Sequence, residues 1–222
     1  MLIVLEGLDG AGKSTQLKML CEWLQGRGDK LKYLHFPRYD APVYGELISN
    51  FLKGEYGGND AVHPQLVALL FAEDRRDAAT QIREWLGDGC CVVLDRYVYS
   101  NIAFQTSKLA DPDKAAKLRE WIFNLAYNIF DIPRPDLNLF LDVPIGFVES
   151  RLNHQRSGSD RDYLDGAQDI HEADIEFQKK VRAVYLACCA SDPGFIRIDC
   201  ADPSTGDILP PEPIFEMIKG RL

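Results

Sequence analysis

The chain has 222 residues, 46% apolar and 27% charged, enough to bury one sizeable core and unlike a disordered or fibrous protein. Its 25 Lys and Arg stand against 34 Asp and Glu, a net charge of −9, so neither nucleic acid nor an anionic membrane is expected as a partner. Any anionic ligand must then meet a local positive pocket. Six cysteines without C-x-x-C spacing read as reduced, buried thiols, and no apolar run approaches the length of a membrane span, so a soluble, cytoplasmic protein is expected.

The chain opens on a buried strand, Leu2–Leu5, and runs into Gly7-Leu8-Asp9-Gly10-Ala11-Gly12-Lys13-Ser14. That stretch fits G-x-x-x-x-G-K-S/T, the Walker A loop, in the strand-to-helix context the motif requires. Glycines let backbone N–H groups wrap a polyphosphate, and the following helix adds its positive end. Gly10, Ala11, Gly12, Lys13, Ser14 and Thr15 are therefore candidates for holding a nucleotide. Lys13 would reach the β- and γ-phosphates, Ser14 would ligate Mg²⁺ and Thr15 would donate to the α-phosphate. Leu17, Leu20, Cys21 and Leu24 form the apolar stripe of the next helix, which should stop near Gly26–Gly28.

A second strand, Leu31–Phe36, leads to "HFPRY" and Arg38; a helix over Pro64–Leu86, closed by Gly87, carries Phe71, Arg75 and Arg76. Phe71, beside Leu66, Leu69 and Leu70, reads on its own as core. The third strand, Cys91–Asp95, ends on Asp95, a Walker B carboxylate suited to hold Mg²⁺ through water, followed by Arg96. Further on come a helix over Asp113–Phe130, a strand at Leu137–Val143, a helix over Ile170–Cys189 and a strand at Phe195–Asp199. Between them Asn153–Asp169 is polar and Arg-bearing, either a mobile lid or an idle loop. The Pro-rich "ADPSTGDILPPEP" also falls outside the compact pattern. His35, His63, His154 and His171 lack ligand spacing and read as structural or surface residues.

Strand–helix alternation predicts an α/β fold: a doubly wound, five-stranded, mostly parallel sheet flanked by helices, one domain over 1–222 with a lid at about 153–169. Ligands should sit beyond the carboxyl ends of the strands. Arg38 and Arg96 at strand ends beside a Walker loop point to a second anion, the alternative being a salt-bridge network with the many carboxylates. Two anionic sites at one sheet edge suggest phosphoryl transfer between nucleotides. A phosphate monoester acceptor, with a second pKa of about 6, needs no general base, which leaves clamping and alignment as the catalytic problem. No guanine-reading N/T-K-x-D stretch is present.

"EGLDGAGKSTQ", "FPRY", "LLFAEDRRDA", "DRYVYSNIAFQ", "PDLNLFLDV" and "DRDYLD…EFQKKVRAVY" occur in this order, and the chain resembles thymidylate kinases from about Leu2 to Asp199. The resemblance implies a P-loop kinase fold of the nucleoside monophosphate kinase type. It also implies transfer from ATP to dTMP with Mg²⁺, and a homodimer. By that likeness Phe71 stacks on thymine, Arg75 donates to its O4, and Ser100 and Asn101 lie near the pyrimidine edge. Arg38 and Arg96 clamp the acceptor phosphate, Asp9 reaches the deoxyribose 3′-hydroxyl, and Tyr97 and Phe104 wall off a 2′-hydroxyl. Lys13, Arg38, Asp95, Arg96 and Arg161 form the catalytic set, with Ser14 and Asp95 toward the metal.

Some members of that family carry an arginine where this chain has Gly10. Here the lid must supply the charge, from Arg156 or Arg161 with Arg151 at the helix edge, and Arg161 matches best. Residues near Ala201–Asp207 are the candidates to flank adenine. Two other readings remain at this point: a deoxynucleoside kinase, which would need a carboxylate base near a free 5′-hydroxyl, and an ATP-sensing module without transfer.

Overall fold

A computed structural model of the chain describes residues 1–153, 164, 169–172 and 174–222. Five strands, β1 (Leu2–Gly7), β2 (Leu31–His35), β3 (Cys91–Asp95), β4 (Leu137–Asp142) and β5 (Phe195–Asp199), lie in the order β2-β3-β1-β4-β5. All five expected strands are present, and every pairing is parallel, so the sheet is wholly rather than mostly parallel among the described residues. β1 and β3 are buried throughout, as unbroken apolar runs require. The edge strands are less covered: β2 exposes Lys32 and Tyr33, and β5 exposes Arg197 and Asp199.

The helices are α1 (Lys13–Gly26), α2 (Tyr44–Leu52), α3 (Pro64–Gly87), α4 (Val98–Thr106), α5 (Pro112–Asn124), α6 (Ile145–Asn153), α7 (Ile175–Ser191) and α8 (Pro211–Lys219). Leu17, Leu20 and Leu24 of α1 are buried in the main core, as their spacing predicts. The helix expected over Asp113–Phe130 starts at Pro112, where the Asp111 side chain accepts from the N–H groups of Asp113 and Lys114. It changes to a π turn over Leu125–Ile129. The helix expected from Ile170 starts instead at Ile175. Asp174 accepts from the Glu176 N–H at 2.9 Å, while the His171 N–H is turned onto Asp169 at 2.7 Å. α2, α4 and α8 were not expected from the sequence, and α6 only as the helix with Arg151 at its edge.

The chain leaves β1 toward β2 and leaves β3 toward β4, so its winding reverses between β1 and β3. A crevice outside their carboxyl ends is the place such sheets bind ligands. The Walker loop follows β1, and Arg96 follows β3. A smaller apolar cluster of Ile48, Phe51, Leu52 and Val67 joins α2 to α3 beside that crevice. Among the described residues all six cysteines are free thiols, and no helix is long and apolar enough to cross a membrane.

Candidate active site

Leu8 to Ser14 turn tightly from β1 into α1. Gly10 and Gly12 have φ of 74° and 78°, the left-handed region that favours glycine. α1 begins on Gly12 with no side-chain cap, so no side chain competes for the N–H groups of its first turn. The loop has two faces. Gly10, Lys13 and Ser14 line a cavity of about 910 Å³, whereas Ala11, Gly12 and Thr15 line another of about 350 Å³.

The larger cavity also contains Asp9, Arg38, Phe71, Arg75, Asp95, Arg96, Tyr97, Ser100, Asn101 and Phe104, so the expected acceptor residues share one space. Arg75, 2% exposed, donates from Nη1 to the Tyr97 carbonyl at 3.5 Å, and its Nε and Nη2 lack partners. Burial pulls its pKa below the ordinary arginine value. A buried guanidinium with idle donors calls for an acceptor from a ligand. The Asn101 amide nitrogen donates to the Ala68 carbonyl at 2.9 Å and leaves its Oδ1 unpartnered, as is Gln105 Oε1 one turn on. Phe71, read alone as core, is half-buried on the cavity wall and also packs on the small α2–α3 cluster.

Arg38 and Arg96 are not the unpaired cations the sequence suggests. Arg96, at φ 67°, donates from Nη2 to Asp9 Oδ1 at 2.6 Å and from Nη1 to Ser100 Oγ at 3.1 Å. It also stands 5.2 Å from the Phe104 ring centre. Burial opposes its charge, but Asp9 leads the neighbours that outweigh burial and hold the guanidinium protonated. Arg38 is bound to Asp74 and Asp77 on α3. The salt-bridge alternative is thus realised at both positions, because carboxylates stand on the facing elements; it does not remove either arginine from the cavity.

The spacing of the sequence did not reveal the supports beneath these residues. Glu6, fully buried on β1, accepts from the N–H groups of Tyr97 at 2.9 Å and Ser100 at 3.1 Å, from the Tyr185 hydroxyl at 3.1 Å and from Ser100 Oγ. Burial raises its pKa above 4.5, and the hydrogen bonds and Arg96 pull the other way. Gln178, on α7, donates from Nε2 to Asp9 Oδ2 at 3.0 Å and to the His171 carbonyl at 2.8 Å. Burial alone would raise the Asp9 carboxyl, but Arg96 first, then Lys13, Gln178 and His171 hold it at about 2. Two of the histidines read as structural or surface, His35 and His171, line the cavity, and His171 Nε2 is unpartnered. The signal was present only as "EFQ" and "DIHE", which carry no spacing rule.

Asp95 Oδ1 is buried and unpartnered, its Oδ2 lies 4.0 Å from His35 Nε2, and Ser14 is exposed on the same cavity. An unmet carboxylate oxygen and an exposed hydroxyl on one cavity suit a hard divalent cation. Among the described residues no group of three His, Cys, Asp or Glu could hold a metal alone, so most ligands of such an ion would be water and phosphate oxygens.

The smaller cavity is walled by Phe147 and Arg151 of α6, Cys200, Ile208, Leu209, Pro210 and Pro211. Ala201–Asp207, the residues expected to flank a base, do not line this cavity; Ala201 bridges to Ile208, and the neighbouring Cys200 and 208–211 form the wall. Arg151 is exposed, its guanidinium 5.8 Å from the Phe147 ring centre, and its Cβ would lie 3.2 Å from a Cβ at position 10. Arg156, Arg161 and most of the lid lie outside the described residues.

A parallel sheet with a Walker loop dividing two cavities at its carboxyl edge defines a P-loop phosphotransferase of the nucleotide kinase class. A family model described as thymidylate kinase matches residues 5–208. A thymidylate kinase of Mycobacterium tuberculosis is 34% identical over 190 residues, 86% of each chain. A probable thymidylate kinase of Thermococcus kodakarensis is 35% identical over 192 residues, 84% of this chain and 82% of the relative. The solved thymidylate kinase of Candida albicans superposes with a TM-score of 0.70 at 27% identity, over 99% of this chain and 89% of the other. The chain belongs to the thymidylate kinase family.

Proposed function

We propose that the chain transfers the γ-phosphoryl group of ATP to dTMP, giving ADP and dTDP, with Mg²⁺ and as a homodimer. An acceptor phosphate oxygen bonds to the γ-phosphorus while the bond to the β-bridging oxygen breaks, and ADP leaves with that electron pair. The observation that carries the reading is the single cavity joining Lys13 and Ser14 of the Walker loop to Arg38 and Arg96. Lys13 and the loop N–H groups hold the donor phosphates, Arg96 and Arg38 the acceptor phosphate, and Phe71, Arg75 and Asn101 the base. Tyr97 and Phe104 close the sugar face against a 2′-hydroxyl. The smaller cavity takes adenine between Pro210–Pro211 and α6. Ser14 and Asp95 would hold Mg²⁺, which neutralises the charge that builds on the transferred group. The lid at 153–169 and Arg161 within it complete the proposal from the sequence.

No carboxylate is assigned as a base, because the acceptor is already ionised at neutral pH. The homodimer rests on the family resemblance. One methyl separates thymine from uracil, worth about 1–3 kcal/mol, so weak turnover of dUMP is expected.

Coupled ADP release, with dTMP, with thymidine and with neither, tests the reading. Turnover should require dTMP. Thymidine serving equally well would make this a deoxynucleoside kinase, and ADP release indifferent to dTMP would leave an ATP-binding module. In the same assay Arg96→Ala should lower kcat by about 10²-fold or more with the fold retained; activity within a few-fold of wild type would misplace the acceptor clamp.

A further inference from the structure

Arg38 follows an edge strand, on a turn where a long side chain would ordinarily sample many rotamers. Asp74 removes that freedom. Its carboxylate, 1% exposed on α3, accepts from the Arg38 backbone N–H at 3.0 Å through Oδ2 and from Nε at 2.8 Å through Oδ1. The Asp74 carbonyl oxygen accepts from Nη2 at 2.9 Å, and the half-exposed Asp77 takes the other Nη2 hydrogen at 2.7 Å. Nε and Nη2 are thus committed, whereas Nη1 makes no bond to a described residue on the cavity that Arg38 lines. Asp77 holds one hydrogen from the solvent side, while Asp74 fixes the backbone and the inner edge of the fork together.

We propose that Asp74 is a positioning residue for the acceptor: it holds the Arg38 guanidinium with Nη1 turned into the cavity, and so sets the affinity for the acceptor phosphate without touching it. This rests on the reading that Arg38 binds that phosphate. A carboxylate that fixes both ends of an arginine stem does in advance what the ligand would otherwise have to do on arrival. The competing role is a brace between α3 and the turn after β2, which would serve every ligand alike.

Calorimetric affinities for dTMP and for thymidine, which lacks the phosphate, separate these roles in Asp74→Asn, Arg38→Ala, the double variant and Asp77→Asn. Asp74→Asn keeps the side-chain shape and should weaken dTMP by about tenfold, with thymidine unchanged within about twofold. In turnover it should raise KM for dTMP while KM for ATP stays level. Added to Arg38→Ala it should change nothing further, because it acts only through that residue. Asp77→Asn should move dTMP much less. Equal losses of dTMP and thymidine, additive losses in the double variant, or an Asp77→Asn effect as large as that of Asp74→Asn would each overturn the proposal. If Arg38→Ala weakens dTMP and Asp74→Asn does not, positioning alone fails; if Arg38→Ala leaves dTMP untouched, the clamp reading falls and positioning with it.

Discussion

Lys13 is held charged against its surroundings. Its Nζ donates to the Leu8 carbonyl at 3.2 Å, and burial, with Arg96 second, brings its pKa from 10.5 to about 8 while Asp95, Asp9 and Glu6 oppose the fall. At pH 7 the difference costs the ligand-free fold about 3 kcal/mol. A bound polyphosphate favours the ammonium and raises that pKa again. Nucleotide binding at pH 8 to 9 should therefore take up part of a proton, read by titration calorimetry in buffers of different ionisation enthalpy. Lys13→Met should bind without uptake; uptake that persists in it would come from another group. The loop and Arg96 were legible because each sits in one short run of sequence. Glu6, Gln178 and Asp74 were not, because their partners lie 91, 169 and 36 residues away and no spacing rule spans such distances.

Elements were legible where burial is one-sided. α1 has a single apolar stripe and ends where its glycines predict, whereas α4 is buried at nearly every position and has no period to read. α8 hides behind Pro210, Pro211 and Pro213, which read as loop until proline is recognised as tolerable in a first helical turn. α7 was begun five residues early because its cap, Asp174, sits among other acidic residues. That cap also fixes where the helix delivers Gln178 to Asp9. Asp174→Ala should lower the unfolding free energy by about 1 kcal/mol, measured by urea denaturation. An unchanged midpoint would mean that the cap contributes nothing in solution.

At the scale of the whole molecule, strand number and the ligand edge followed from the alternation of apolar runs. The order β2-β3-β1-β4-β5 did not, since it depends on which side of the sheet each crossover takes. Acid stability is another property of the assembled fold. His171 is packed by Phe51, Phe104 and Phe177 and faces Lys108, Asp9 and Arg96. Burial, then Lys108, holds its imidazole neutral well below pH 6.5. The unfolded chain binds that proton near 6.5, so below this value it carries the extra proton and stability falls as pH drops, by up to about 1.4 kcal/mol per unit. Glu6, raised above 4.5 by burial, has the opposite sign just above that value. Urea curves of wild type and His171→Asn isolate the imidazole: wild type should lose stability relative to the variant between about pH 6.5 and 5. Parallel profiles would show that His171 protonates within the fold.

The 2.6 Å contact of Arg96 with Asp9 bears on how the enzyme answers its medium. On the proposed clamp, an incoming monophosphate meets a guanidinium already paired with a carboxylate rather than bare positive charge. Part of the cleft's positive charge is then offset before any ligand arrives, so dissolved electrolyte should have less leverage over loading than the number of arginines in the cleft would suggest.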